Sequence, residues 1–393
     1  MAGAVDLGGG YQAREVPLQT YLELYARLED RVFSSVSYQW PEPAALPTAL
    51  AQLPTHTWLI YGPDQPEPVG WHYARQSDGR SVTMVNTGLL PEHRGRGLYT
   101  RLLPHLLAAF RKAGYTLVRS HHHLTNTAVI LPKLRAGFFI QGLIHNDHGL
   151  MLELVYSVDP VYREAMRVRS GEIRPSGEAA RRLGLDEAAP GAPATAAAVA
   201  LPDAEGEEVD LGDGYTLRPV PSHVAWAVAD ALEPLAFQTV SFDWGEAARR
   251  EPPAGQRFAW IVVHGGRVAG WQISRQWDAR SAYMVNTALL PEHRGRGIYT
   301  RLLPLVMETL RAEGYRVIRS HHHATNNAVL VPKLRAGFVI SGLEMDHHGI
   351  VVVLSAALDP LYRAYLDVRT GLTRPTGELA RRLRLTPQEE PDV

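Results

Sequence analysis

Three consecutive histidines occur twice in this sequence, at 121–123 and again at 321–323. Imidazole titrates near neutral pH, so it can take a proton from an ammonium group, directly or through a water molecule. Each triplet lies at the end of a predicted strand, where His121 and His123 are on one face and His122 is on the opposite face. We expect a proton-accepting or ligand-binding role for at least one member of each triplet, that is, among His121, His122, His123, His321, His322 and His323. A packed, hydrogen-bonded core role is the alternative. Metal binding is a weaker one, because two histidines on one face still need a third ligand.

The second chemical feature is the loop Arg94-Gly-Arg-Gly, which recurs at 294–297. It joins a predicted strand directly to a predicted helix. Its glycines let a ligand approach the backbone closely, and the unpaired N–H groups at the helix N-terminus attract phosphate. Arg94 and Arg96 are expected to add charge, and Thr100 a hydroxyl donor. The loop is not the G-x-G-x-x-G fingerprint, because Thr100 occupies the third glycine position, and no Gly-Lys-Ser/Thr follows as in a P-loop. An ordinary tight turn is the alternative.

Both features belong to a long internal repeat. The segment from Met84 to Arg101 recurs from Met284 with two changes, at an offset of 200 residues, and the same offset relates the histidine triplets. A period near 200 residues indicates a duplicated domain rather than a solenoid. We therefore predict an N-terminal domain at 1–185, an Ala/Pro/acidic linker at 186–208 and a C-terminal domain at 209–393. Identity is concentrated in the loops with chemical features, which favours a requirement retained in both copies.

Local patterns predict the elements that must position these groups. Apolar spacing predicts helices over 21–33 and 98–113, with strands over 57–61, 69–75, 81–90, 115–122, 138–143 and 150–156. Thr125 or Asn126 is predicted to cap a helix that runs to about residue 136. The segment 159–185 is predicted to be mostly helical. Its run 174–183, repeated at 374–383, is expected to pack on the other copy, with contact between Arg181-Arg182 and phosphate as the alternative. The order of elements predicts a mixed α+β fold.

Composition excludes several classes of protein. The formal net charge is −1, with 40 basic and 41 acidic residues among 393, so nothing favours nucleic acid as a partner. The chain has no cysteine, which excludes disulfides, thiolate metal sites and a cysteine nucleophile. Residues 1–10 lack the features of a signal peptide and no apolar stretch is long enough to span a membrane, so we expect a cytoplasmic protein without a membrane segment.

The segment from Leu89 to Leu103 resembles motif A of the GCN5-related N-acetyltransferase (GNAT) family, whose core is Arg/Gln-x-x-Gly-x-Gly/Ala. Arg94 and Gly97 match it, although Tyr99 occupies the last small-residue position. Asn126 followed eleven residues later by Gly137-Phe resembles the next motif of the family, and Asn326 with Gly337 repeats it. The resemblance covers about residues 10–156 and 214–356. It implies two tandem acyl-CoA N-acyltransferase folds, each a mixed, mostly antiparallel sheet flanked by helices.

The same resemblance implies where acetyl-CoA binds. The cofactor is expected between the splayed strands that end at Leu89 and His122, with its pyrophosphate on the backbone of residues 94–99. The implied cofactor-binding residues are Leu89, Leu90, Arg94, Gly95, Arg96, Gly97, Leu98, Tyr99, Thr100 and Asn126 in the first copy, and Leu289, Leu290, Arg294, Gly295, Arg296, Gly297, Ile298, Tyr299, Thr300 and Asn326 in the second. On the strand facing the acyl group, the expected substrate contacts are Asn86, Thr87, Asn286 and Thr287.

The sequence departs from the family at one catalytic position. Family members often have a tyrosine seven residues after the motif asparagine, as the acid that protonates the departing thiolate. Here Lys133 and Lys333 occupy it, and the chain has only one other lysine, Lys112. We expect Lys133 and Lys333 to protonate or electrostatically stabilise the thiolate, with the pKa lowered by burial. A solvated lysine near a coenzyme A phosphate is the alternative.

The resulting hypothesis is an acetyl-CoA-dependent N-acetyltransferase in which an amine attacks the thioester directly in a ternary complex. No metal is implied. The acceptor is expected to be an amine of a small molecule or peptide, and the copies to form an intramolecular pseudo-dimer. The rivals are a non-catalytic acyl-CoA sensor or scaffold, and an O-acyl or aminoacyl transferase on the same fold.

Overall fold

A computed structural model describes residues 4–34, 53–63, 65–146, 149–185, 199–237, 255–346 and 349–383. Within these ranges the first copy contains a strand hairpin, a helix, six further strands interrupted by two helices, and two tail helices. Their bounds are β1 Val5–Gly8, β2 Tyr11–Glu15, α1 Leu18–Phe33, β3 Thr55–Tyr61, β4 Pro68–Asp78, β5 Ser81–Leu89, α2 Leu98–Lys112, β6 Leu117–His123, α3 Thr127–Arg135, β7 Phe139–Asn146, β8 Gly149–Ser157, α4 Pro160–Arg169 and α5 Gly177–Leu183.

The strands of the first copy form one mixed sheet of eight strands in the described residues, in the order β1-β2-β3-β4-β5-β6-β8-β7. All neighbours pair antiparallel except β5 and β6, which are parallel. The two strands are joined through α2, as a parallel connection requires. The parallel pair lies near the middle of the sheet. The loop 94–97 follows the C-terminal end of β5, and the histidine triplet forms the C-terminal end of β6.

Helices cover both faces of this sheet, and the alternation of side chains along β4 shows which helix lies on which face. Trp71 and Tyr73 point toward α1, where Tyr73 stacks on Tyr21 with ring centres 4.9 Å apart. His72, between them, points to the other face, where its ring is 6.2 Å from that of Phe110 in α2. We call these the α1 face and the α2 face.

The second copy repeats the architecture. Its elements are β9 Val209–Gly212, β10 Tyr215–Pro219, α6 Ser222–Ala236, β11 Arg257–His264, β12 Arg267–Gln276, β13 Ser281–Leu289, α7 Ile298–Ala312, β14 Val317–His323, α8 Asn327–Arg335, β15 Phe338–Asp346, β16 Gly349–Ala357, α9 Pro360–Arg369 and α10 Gly377–Arg382. As described, its sheet has the order β15-β16-β14-β13-β12-β11-β10-β9, again with one parallel pair, β13 and β14. The predicted mixed α+β fold, repeated in two tandem copies, is confirmed.

The chain forms two compact units, and their bounds differ from those of the sequence copies. The first unit contains Met1–Pro160 together with Ala364–Val393, and the second contains Val161–Arg363. Each unit therefore joins the sheet of one copy to the tail of the other copy.

The structure adds detail that the sequence patterns did not predict. The hairpin of β1 and β2 extends the sheet by two strands, and its equivalent recurs as β9 and β10. Of the predicted linker, residues 186–198 lie outside the described ranges. In the remainder, Val199 and Leu201 pack against the apolar core beside α6. Among the described helices, none is long and apolar enough to cross a membrane.

Candidate functional site

The site is built at a fork between the two parallel strands. Strands β5 and β6 pair in register from Ser81↔Leu117 to Met84↔Ser120. Beyond this point β5 continues beside β4 to Leu89, while β6 continues beside β8 to His123. Each strand thus keeps one paired edge and turns the other into a V-shaped opening, where main-chain N–H and C=O groups can bind an extended ligand. A one-residue bulge at Val85 in β5 lies just past the fork.

The loop 94–97 and helix α2 follow the open end of β5. Gly95 and Gly97 have φ of 72° and 70°, a left-handed conformation that favours glycine. Arg101 donates the first main-chain hydrogen bond of the helix to the carbonyl of Gly97, so the preceding N–H groups point out of its N-terminus. A Cβ added at Gly95 would meet no atom within 4 Å. The loop can therefore receive a phosphate on its backbone.

The side chain of Arg94 has a different task from the one that its charge suggested. Its Nε donates to the carbonyl of Leu89 at 2.9 Å, and its Nη2 donates to the carbonyl of Val32 at 2.6 Å. Arg294 makes the same two contacts, with Leu289 and Ala236. Arg94 thus ties the end of β5 to the end of α1, and any contact with phosphate falls to its main chain.

Lys133 lies at the floor of the V. Its side chain is 1% exposed, and its Nζ contacts the Oγ of Ser120 and, at 3.5 Å, the Sδ of Met84. Ser120 and Met84 are the last residues of the parallel register, so the amine marks the point where the strands part. Lys333 repeats the arrangement, fully buried with its Nζ 3.2 Å from Met284 Sδ. The alternative of a solvated lysine is wrong for both copies, because each amine is enclosed between α3 or α8 and the sheet.

Burial lowers the pKa of the basic groups around Lys133. Desolvation lowers the pKa of Lys133 well below its usual value, because the ammonium form loses its hydration. Burial, with the nearby lysine as a second cause, also lowers the pKa of His122 well below its usual value. The Nε2 of His122 is 2.8 Å from Ser120 Oγ, so lysine, serine and histidine form one connected network on the α2 face. This network holds a proton on the lysine only weakly.

The other histidines of the triplet lie on the α1 face, as the strand alternation predicts. His121 pairs across to Glu153 on β8, with Nε2 to Oε1 at 3.8 Å. Arg119 donates to the same carboxylate at 2.9 Å. The hydrogen bond of His121 and that of Arg119 hold the pKa of Glu153 below its usual value, which keeps it ionised. His123 directs its Nδ1 to the main-chain carbonyl of Thr370, at 3.0 Å.

Comparison of the sequence with known protein families shows which family the chain matches. The profile of the Acetyltransferase (GNAT) family matches residues 23–131 and again 225–338, together more than half of the chain. The chain belongs to the GNAT acetyltransferase family. It is an acyltransferase that uses acetyl-CoA as its cosubstrate, with two GNAT domains in one chain.

Three solved acetyltransferase structures each match a little over a third of this chain. The ribosomal-protein-S18-alanine N-acetyltransferase of Escherichia coli is 17% identical with a TM-score of 0.32, over 37% of this chain and 94% of its own. An IAA acetyltransferase of Bacillus cereus is 17% identical with a TM-score of 0.31, over 37% of this chain and 99% of its own. A GNAT acetyltransferase of Elizabethkingia anophelis with acetyl-CoA bound is 15% identical with a TM-score of 0.29, over 37% and 100%. A search of curated proteins found no match.

The residues of this GNAT chain fit coenzyme A, apart from one unusual side chain. The fork and the loop provide open main chain for an extended ligand. Tyr99, where the GNAT motif has a small residue, is in the first turn of α2, and its ring centre is 5.9 Å from Lys133 Nζ. Its hydroxyl is buried without a hydrogen-bond partner in the described part of the chain, and so is that of Tyr299. An orphaned hydroxyl beside the fork in both copies is a polar group that a bound ligand can satisfy.

Three further predicted positions, Asn126, Asn86 and Thr87, are arranged in different ways. Asn126 occupies the N-cap position of α3, yet its side chain makes no capping hydrogen bond, and the hydroxyl of Thr125 is directed to Thr370 instead. Asn86 and Thr87 face opposite sides of β5. Asn86 Oδ1 accepts from the indole of Trp71 at 3.0 Å on the α1 face. Thr87 Oγ1 lies 2.7 Å from His72 Nδ1 on the α2 face. These side chains stiffen β5 beside the V.

Sequence reasoning missed three residues of the site. Ser120 lies inside the repeated Arg-Ser-His-His-His run, so the repeat itself carried a signal for it. His72 is completely buried, and burial with Lys133 nearby lowers its pKa to about 3, so it stays neutral. Glu153 gave no signal, because the second copy has Val353 at this position.

Proposed function

We propose that each copy transfers an acetyl group from acetyl-CoA to the nitrogen of an amine acceptor, by direct attack in a ternary complex. The observation that carries this proposal is the placement of two kinds of proton-transfer group on opposite faces of one fork. Lys133 occupies the α2 face at its floor, and His121 and His123 occupy the α1 face. Such a separation suits a reaction in which one proton is removed from the nucleophile and another is given to the leaving group.

Binding of the cosubstrate falls to the main chain. The backbone of residues 94–99 and the N-terminus of α2 would hold the pyrophosphate, and the open edge of β5 would hold the pantetheine arm. Bound acetyl-CoA supplies a thioester carbonyl for attack and a thiol as leaving group. Main-chain N–H groups of β5 beyond the bulge would polarise that carbonyl.

Proton transfer is divided between the two faces. A histidine of the α1 face takes the proton from the attacking amine as the new carbon–nitrogen bond forms. Lys133 gives a proton to the sulfur as the carbon–sulfur bond breaks. Since burial lowers the pKa of Lys133, its proton is held weakly and passes readily to a thiolate. Ser120 and His122 orient the lysine amine between these events.

The test replaces the lysines one at a time and together. Lys133→Met with Lys333→Met is expected to lower kcat by about 100-fold, with little change in the KM for acetyl-CoA, because the lysines act on the leaving group. Lys112→Met is the matched control, since Lys112 is exposed at the end of α2. Release of thiol from acetyl-CoA over a panel of amines gives the rates. Unchanged kcat in the double variant would refute the role of the lysines, and absence of amine-dependent thiol release by the wild type would favour the acyl-CoA sensor.

A further inference from the structure

The turn after each tail helix lies in the unit of the other copy. The first unit contains residues from 364 onward, and the second contains residues from 161 onward. Thr370 follows α9 and belongs by sequence to the second copy, yet it packs in the first unit. Ser170 follows α4 and belongs by sequence to the first copy, yet it packs in the second unit. Both residues are buried, at 6% and 4% exposure.

In the first unit this turn contacts the connection between β6 and α3, at the mouth of the V. The hydroxyl of Thr370 lies 2.9 Å from that of Thr125, which is completely buried. The carbonyl of Thr370 lies 3.0 Å from His123 Nδ1. Gly149, at the start of β8, approaches so closely that an added Cβ would lie 2.7 Å from this carbonyl oxygen. Three parts of the site wall therefore converge on one residue of the tail.

The second unit has the corresponding contacts with different residues. The hydroxyl of Ser170 lies 2.8 Å from that of Thr325, the equivalent of Thr125. Thr325 also donates to the carboxylate of Glu172. The carbonyl of Ser170 accepts a hydrogen bond from the main-chain N–H of Ile350 at 3.0 Å. Two hydroxyl pairs, formed at equivalent places by different side chains, indicate a feature built into the fold rather than a single chance contact.

The contact with His123 has a chemical consequence. A carbonyl oxygen only accepts hydrogen bonds, so the Nδ1 of His123 must carry the proton. In the neutral ring the basic lone pair then resides on Nε2. The hydroxyl pair of Thr370 and Thr125 fixes the position of the carbonyl and hence the tautomer and orientation of the ring.

We propose that each acyl-transfer site is completed by the tail of the other copy, and that Thr370 is a positioning residue which orients His123 as the base of the first site. Ser170 holds the equivalent connection of the second site. This inference rests on the proposed acetyl transfer for the role of His123, while the contact itself can be tested separately. It implies that neither copy is self-sufficient, since each site uses a turn that belongs, by sequence, to the other copy.

The kinetic experiment uses the full chain with one site silenced. In a Lys333→Met background, which reports the first site, Thr370→Val is expected to lower kcat about tenfold, because it removes the hydroxyl pair and loosens the base. Thr370→Ser is expected to retain the rate, since serine serves at the equivalent position of the other unit. Glu378→Gln, which alters only exposed ion pairs on the same tail, is the control. In a Lys133→Met background the larger loss is expected to move to Ser170→Ala.

A second readout does not depend on turnover. Histidine-ring nitrogen NMR of the full chain, with the His123 signal assigned by its loss in His123→Gln, is expected to show the Nδ1–H tautomer in the wild type and a mixture in Thr370→Val. Equal behaviour of Thr370→Val and Thr370→Ser, or losses that follow the copy in which the mutation lies, would overturn the proposal. An altered tautomer with unchanged rate would overturn the positioning role. If the wild type acetylates no amine, acetyl transfer fails, and the NMR result alone decides whether the tail orients the ring.

Discussion

The two copies are nearly identical on the α2 face of the fork and different on the α1 face. Lys133 and Lys333 are both buried, and the pair of serine and histidine repeats as Ser320 and His322, 2.7 Å apart. The loops 94–97 and 294–297 have the same sequence. The machinery expected for the acyl donor is therefore the same in both copies.

The α1 face of the fork contains a carboxylate in the first copy and a group of aromatic side chains in the second. Glu153, bonded to Arg119 and paired with His121, is replaced by Val353. In the second copy the ring of His321 lies 5.2 Å from that of Tyr283. Tyr283 in turn contacts the half-exposed Trp277, with Arg275 stacked on both rings.

The face differs further at the helix that covers it. In the first copy Asn86 donates to Tyr25 of α1, whereas in the second copy Asn286 donates directly to Glu233 of α6 at 2.6 Å. The residue of α6 equivalent to Tyr25 is Ala229. Under the proposed acetyl transfer, the shared face would serve the same donor in both copies. The divergent face would then receive different acceptors, or one acceptor at different rates.

The largest effect is expected at the shared loop. Gly95→Asp places a carboxylate where the pyrophosphate would bind, and aspartate tolerates the left-handed φ better than most residues. Repulsion of unit charges at contact distance is worth several kcal/mol, so the affinity of the first copy for acetyl-CoA is expected to fall by at least about 100-fold. Gly95→Asn, of the same shape without the charge, is expected to cost much less.

Calorimetric titration with acetyl-CoA measures this effect as a stoichiometry. Two sites are expected in the wild type and one in Gly95→Asp, with the same result for Gly295→Asp. A wild type that binds a single equivalent would break the equivalence of the two donor sites. Equal losses in Gly95→Asp and Gly95→Asn would assign the effect to backbone strain instead of charge.

The next effect concerns the carboxylate that only the first copy has. With the second site silenced by Lys333→Met, Glu153→Val is expected to lower kcat about tenfold, because the α1 face loses the anion that stabilises a protonated histidine. Glu153→Gln, which keeps a hydrogen-bond acceptor without the charge, separates charge from geometry. A loss confined to kcat supports the role in proton transfer, whereas a loss confined to the KM of the amine would make Glu153 an acceptor contact.

The reciprocal change sharpens the same comparison. Val353→Glu introduces a carboxylate next to Arg319, whose Nε is buried without a partner in the described residues. The substitution is therefore expected to be tolerated and, with the first site silenced by Lys133→Met, to raise the rate of the second site with basic amines. An unfolded variant would contradict the expected tolerance. An unchanged rate in a folded variant would show that Tyr283 and Trp277, not the missing carboxylate, distinguish the second site.

The repeat made much of this site predictable from sequence. A requirement held in both copies leaves identical residues at a fixed offset, and this revealed the loop, the histidines and the lysines together with the strands that carry them. Alternation along a strand also placed His122 opposite its neighbours, which the structure bears out.

Other features were beyond sequence reasoning for physical reasons. Glu153 is present in one copy only, so a comparison of the two copies could not identify it as a candidate site residue. Burial of Lys133 depends on how α3 packs over the fork, and a lysine in a short helix is ordinarily solvated. The contact of Thr125 with Thr370 joins residues 245 positions apart, and no local pattern encodes such a pair.

The smallest effect tests whether buried Lys133 and Lys333 change the stability of the fold by the same amount. Burial lowers the pKa of Lys133 and of Lys333 in the folded state, while the unfolded chain keeps the usual pKa near 10.4. Between the lowered pKa and about pH 10.4 the unfolded state binds more protons, so stability rises with pH across this window. Each lysine therefore destabilises the fold at neutral pH, and this cost falls as the pH rises toward 10.4.

Lys133→Met and Lys333→Met are accordingly expected to raise Tm at neutral pH by about 2–4 °C for each kcal/mol relieved, and the gain should shrink as the pH approaches 10.4. Thermal unfolding of both variants, the wild type and Lys112→Met over a range of pH measures it. Equal gains would confirm that the two floors impose the same strain on the fold, which is what a common donor chemistry requires. A gain that grows with pH would contradict a lowered pKa and with it the weakly held proton. A gain in only one variant would place the working acid in that copy alone, because a lysine that keeps its usual pKa holds its proton too firmly to give it to a thiolate.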